Sequence, residues 1–80
     1  MIRVLIAEDQ AMVRGALAAL LALDEGIDVV GQAANGREAL AMVLKELPDV
    51  LLTDIEMPEL TGLELASEIK RQHLPVRVER

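Results

Sequence analysis

The sequence predicts an α/β fold, a parallel sheet doubly wound with helices on both faces. Three observations lead there. Short apolar runs rich in Val, Ile and Leu alternate with longer stretches whose apolar residues recur at helical spacing. The short runs lack the alternation of a half-exposed strand, so they read as strands covered on both faces. Two of them close on acids, Glu8-Asp9 and Asp54, where the chain leaves the interior. At 80 residues the chain makes one domain.

The elements follow in order. Ile2 to Ala7 is the first strand, ended by Glu8 and Asp9. Val13, Leu17, Leu20 and Leu21 then mark a helix that stops near Asp24-Glu25-Gly26, with Gly26 suited to a C-terminal cap. Ile27 to Ala33, with Val29 and Val30, is the second strand. Asn35-Gly36 is turn chemistry, and Asn35 with Glu38 resembles a capping box. Leu40, Val43, Leu44 and Leu47 form one face of the second helix, which Pro48 stops. Val50 to Thr53 is the third strand, ending at Asp54. Met57 to Gly62 is a loop, and Thr61 with Glu64 is a second capping-box pattern. The helix it opens runs through Leu65, Ala66 and Ile69. Val76-Arg77-Val78, after Pro75, starts a fourth strand. The order is βαβαβα plus a strand stub, which calls for right-handed crossovers.

Composition excludes several functions. Fourteen acidic against eight basic residues leave a net charge of −6, unfit for neutralising nucleic-acid phosphates or for an anionic membrane surface. Without Cys there is no disulfide, thiol nucleophile or thiolate zinc site, and a single His excludes a multi-histidine metal site. Without Phe, Tyr or Trp there is no platform for stacking bases or sugars, and the core must be aliphatic. No stretch has the flanks of a signal peptide or the roughly 18 apolar residues of a membrane span, so a cytoplasmic protein is expected. His73 reads as a solvated residue near the end of the third helix.

In an open parallel sheet, ligands bind beyond the carboxyl ends of the strands, where strand order reverses. Taking the order 2-1-3 from the flavodoxin-like sheet, rather than from these residues, makes strands one and three neighbours. Glu8, Asp9 and Asp54 then converge. Three carboxylates brought together repel, and at least one pKa should rise. Arg14 and Arg37 are expected at the surface, which leaves no nearby cation. A hard divalent ion is the natural compensator, and an oxygen-only donor set suits Mg²⁺, or Mn²⁺, better than zinc.

The segments Val4-Leu5-Ile6-Ala7-Glu8-Asp9 and Asp54-Ile55-Glu56-Met57-Pro58-Glu59-Leu60-Thr61-Gly62 resemble the receiver domain of two-component response regulators. Gly31 to Gly36 is similar to the NarL/FixJ branch, whose output domain is a DNA-binding helix-turn-helix. The resemblance implies a CheY-like fold and a phosphorelay role. Asp54 would accept a phosphoryl group from a sensor histidine kinase. Asp9 would bind Mg²⁺ directly, Glu8 directly or through water, Asp54 as acceptor, and Glu56 through its backbone carbonyl. Met57, Pro58, Thr61 and Gly62 would shape the loop after Asp54. Receivers of this family continue with a Ser or Thr ending strand four, a helix, a fifth strand ending at a Lys, and a last helix. None of these has a counterpart here, so residues 1–80 are expected to be the N-terminal part of a receiver without its output domain.

That reading carries further expectations. The chain is not itself an enzyme. It meets no nucleic acid, although its parent protein would bind DNA. Missing elements would leave Leu5, Ala7 and Leu51 uncovered, making the species unstable or driving a homodimer by strand exchange. A competing reading is a receiver that serves only as a dimerisation module, without phosphotransfer. A third, a small Mg²⁺-dependent phosphohydrolase, needs an Asp-x-Asp-x-Thr run after the first strand that Glu8-Asp9-Gln10-Ala11-Met12 does not supply.

Overall fold

A computed structural model describes residues 1–54 and 60–79. The chain forms β1 (Ile2–Ala7), α1 (Ala11–Ala22), β2 (Ile27–Ala33), α2 (Gly36–Glu46), β3 (Val50–Thr53), α3 (Gly62–Arg71) and β4 (Arg77–Glu79). All strand pairs are parallel, in the order β2-β1-β3-β4. The 2-1-3 order taken from the flavodoxin-like sheet therefore holds. The first crossover runs from β1 outward to β2, and the second returns across β1 to β3. With right-handed connections that reversal puts α1 on one face and α2 and α3 on the other.

Register divides the side chains. Leu5 pairs with Leu51 and Leu51 with Val78, so these three share a face. Ala39 and Val43 of α2 and Leu65 and Ile69 of α3 close over them in one cluster. Leu5, Ala7 and Leu51 are each 0–1% exposed. The expectation that they lie uncovered is thus wrong, because both helices of that face are present. The thin cover is on the opposite face. There α1 packs on β1 and β2, and Val4 and Ile6 are buried beneath it. No residue of α1 is buried, and Leu20 is 64% exposed. The same face ends in charge at β4, where Arg77 and Glu79 pair at 2.9 Å.

Both capping patterns form. The Asn35 side chain accepts from the Glu38 N–H at 2.8 Å, while the Glu38 carboxylate accepts from the Ala34 N–H at 2.9 Å. Thr61 accepts from the Glu64 N–H and Glu64 from the Thr61 N–H, a complete box. Three expectations need correction. Gly26 is not the C-terminal cap of α1, which is Leu23. Instead Asp24 accepts from the Gly26 N–H at 2.8 Å, and that turn leads into β2. Of the predicted α2 face, Val43 is buried and Leu40 packs against the core, but Leu44 and Leu47 are about half exposed, and the helix's other buried residues are Gly36 and Ala39. The third correction is β4, which starts at Arg77 rather than at Val76.

Among the described residues, two that are not glycine sit in the left-handed region, Leu47 with φ 44° and His73 with φ 56°. Each ends a helix. Leu47 is backed by Arg3, whose Nη1 donates to the Glu46 carbonyl at 2.6 Å and the Leu47 carbonyl at 3.3 Å. The guanidinium thereby satisfies carbonyls left over at the C-terminus of α2, where a cation is favoured. Arg3→Ala should cost about 1–2 kcal/mol in urea unfolding, more than an exposed arginine in general. A loss below about 0.5 kcal/mol would show that solvent serves those carbonyls equally well.

Candidate phosphoacceptor and metal site

The strand ladder sets the height of the acids. Ala7 pairs with Thr53, so the next residues, Glu8 and Asp54, leave neighbouring strands at the same level. The Glu8 N–H donates to the Ala33 carbonyl at 3.0 Å, and the Asp54 N–H donates to the Ala7 carbonyl at 3.1 Å. Each bond extends its ladder by one step. Asp9 follows in the turn before α1. Carboxylate oxygens of Glu8, Asp9 and Asp54 all lie within 4.8 Å of one another. Beneath Asp54, the buried Thr53 hydroxyl donates to the Asp54 carbonyl at 3.0 Å. An open cleft of about 490 Å³, lined among others by Gln10, Val13, Leu17 and Leu52, runs beside the acids.

The acids differ in surroundings. Glu8 is 8% exposed, while Asp9 and Asp54 face solvent. Burial pushes the Glu8 carboxyl up, and the Asp54 carboxylate beside it pushes the same way. The Gln10 N–H, 3.4 Å from Glu8 Oε1, pulls weakly in the other direction. A carboxyl whose pKa is raised by burial and by a neighbouring carboxylate marks a place where a cation would be favoured. The donors are oxygens only, two of the three reach solvent, and one oxygen of each lies within 4.8 Å of the others. The residues present therefore fit a hard divalent ion.

Of the residues singled out in the sequence, Glu8, Asp9 and Asp54 come together. Thr61 is the N-cap of α3 and Gly62 is buried at that helix's first position, so both act where the loop ends. Glu56, Met57 and Pro58 lie outside the described residues. Two residues near the site were missed. Arg14 is not a plain surface residue: its Nη1 donates to the Glu8 carbonyl at 2.8 Å. Gly36, read as turn chemistry, permits a close approach. A side-chain carbon there would stand 1.8 Å from the Leu60 carbonyl oxygen. The available signal was a glycine at the first position of a helix, where a positive φ is not needed.

Acids gathered at the carboxyl ends of the central parallel strands stand where an open α/β sheet binds its ligands. The chain belongs to the response regulator receiver domain family, whose model matches residues 4–78. It is 54% identical over 72 residues to the uncharacterized transcriptional regulatory protein YvfU of Bacillus subtilis, covering 90% of this chain and 36% of that protein. It is 43% identical over 76 residues to a protein-glutamate methylesterase/protein-glutamine glutaminase of Anaeromyxobacter dehalogenans, covering 94% and 21%. The signal receiver domain of the response regulator NarL from Mycobacterium tuberculosis superposes with a TM-score of 0.94 at 35% identity, covering 96% of this chain and 62% of that one. The CheY-like fold and the NarL-type resemblance are thus in agreement. Receivers like this one occur both in transcriptional regulators and in an esterase. The chain spans 36% of the regulator's length. No helix among the described residues is long and apolar enough to cross a membrane.

Proposed function

We propose that this chain is the N-terminal part of a cytoplasmic receiver domain that takes a phosphoryl group onto Asp54 from a phosphohistidine on a sensor histidine kinase. The modification would control transcription through a DNA-binding output domain elsewhere in a longer protein. The observation that carries this reading is the approach of three carboxylates to within 4.8 Å at the carboxyl edge of the sheet. Asp54, exposed as Asp9 is, would be the nucleophile. Its carboxylate oxygen bonds to phosphorus, and the phosphorus–nitrogen bond breaks with its electron pair left on the imidazole. Thr53 holds the backbone of the nucleophile from below. Glu8 and Asp9, with the Glu56 carbonyl, would hold Mg²⁺ beside it. When bound, the ion neutralises charge on the transferring group.

Incubation with acetyl phosphate and Mg²⁺ should add one phosphoryl group to the intact mass, and Asp54→Asn should stay unlabelled. Labelling of the variant, or of neither protein, would overturn the assignment. The second reading, a module acting through self-association, has the uncovered α1 face in its favour. It requires a homodimer, strand-exchanged or not, whose sedimentation is indifferent to Mg²⁺ and phosphodonor.

A further inference from the structure

The turn between β1 and α1 carries two of the three acids, yet its helix lacks an ordinary start. Gln10 is the N-cap of α1 and makes no side-chain cap hydrogen bond, and no acid lies in the first turn. Something else must hold the turn. The Arg14 guanidinium, half buried one turn into α1, reaches back and donates from Nη1 to the Glu8 carbonyl at 2.8 Å. The Glu8 N–H is already fixed on the Ala33 carbonyl at 3.0 Å. Both backbone polar groups of Glu8 are therefore held, one by the sheet and one by the helix.

We infer that Arg14 is a positioning residue for the acidic site, tethering the peptide between Glu8 and Asp9. The Glu8 carbonyl and the Asp9 N–H belong to one planar unit. Fixing the carbonyl fixes the plane from which Asp9 departs, and with it the direction of the Asp9 carboxylate relative to Asp54. Arginine suits this task, since its planar fork stays charged and loses little freedom per bond formed. The inference rests on the metal reading given above, and it adds a residue that touches neither metal nor phosphoryl group.

The test compares the wild-type chain with Arg14→Met, which keeps an apolar stem, and Arg14→Lys, which keeps a donor. Two quantities are read: Mg²⁺ affinity by calorimetry, and amide hydrogen exchange of Asp9 in the metal-free chain. Removing a hydrogen bond that orients a ligand typically costs 10–100-fold in metal affinity, so Arg14→Met should bind roughly tenfold more weakly. Its Asp9 amide should exchange severalfold faster while Val43 and Leu65 in the core are unchanged. Arg14→Lys should recover most of both. A dissociation constant for Arg14→Met within twofold of wild type overturns the inference. So does weakened binding with unchanged Asp9 exchange, which would assign the effect to charge alone. If Arg14→Met fails to fold, Arg14→Lys decides, with faster Asp9 exchange counting against the tether. If the wild-type chain takes up no Mg²⁺, the metal reading fails, and Asp9 exchange in the metal-free variants still settles the tether.

Discussion

Asp54→Asn should melt at a higher temperature than the wild-type chain when both are metal-free at neutral pH, and should lose the stabilisation that Mg²⁺ gives the wild type. The two halves have one cause. Glu8, Asp9 and Asp54 hold carboxylate oxygens within 4.8 Å of one another, and Glu8 is nearly buried. Its pKa is raised first by burial and next by Asp54. A carboxyl whose folded pKa lies above its unfolded value binds protons more readily in the native state. Stability then falls as pH rises from the unfolded value of 4.5 through the raised folded value. At neutral pH the site is strained by its own charge. Removing one charge at this spacing relieves on the order of 1 kcal/mol, a rise of roughly 4–8 °C for a domain of this size. Mg²⁺ at about a hundred times its dissociation constant should lift the wild type by about 2.7 kcal/mol, roughly 10–20 °C, and Asp54→Asn hardly at all. Scanning calorimetry across pH with and without Mg²⁺ checks both. A variant that melts lower without metal, or that keeps the wild-type response to it, would mean the three acids do not share one field.

The sheet and the acids were legible because their signals are local. A buried strand is a short apolar run, a capping box is two residues three apart, and Glu8, Asp9 and Asp54 stand at strand ends. The pairing of Ala7 with Thr53 turns those ends into one place. What stayed hidden depends on contacts between elements. The face of α2 was only half legible from its apolar spacing: Val43 and Leu40 turn inward as predicted, while Leu44 and Leu47 stay about half exposed and the small Gly36 and Ala39 are buried instead. Gly36 matters for the carbonyl of Leu60, far along the chain. Arg14 looked like surface charge because nothing in its neighbours reveals a bond to a carbonyl outside its own helix. His73 ends its segment in a left-handed conformation that sequence statistics assign to glycine.

The unequal cover of the two faces yields the other large effect. Leu51→Ala should lose about 2–5 kcal/mol, while Leu20→Ser should change stability by no more than about 0.5 kcal/mol. Leu51 is fully buried between Leu5 and Val78 of its own sheet and the cluster formed by Val43, Leu65 and Ile69. Truncation there removes transfer energy and leaves a cavity in a face that two helices hold shut. Leu20 points from a helix with no buried residue and is already 64% exposed. At about 0.05–0.15 kcal/mol per residue, a chain of this length has roughly 4–12 kcal/mol in all, so Leu51→Ala can unfold much of the population at ambient temperature. Urea titration with an unchanged m-value measures the difference. Near-neutral behaviour at Leu51 would mean that α2 and α3 do not close over the sheet in solution. That outcome would restore the uncovered core which the sequence alone suggests, and with it the strand-exchanged dimer as the form that protects those leucines from water.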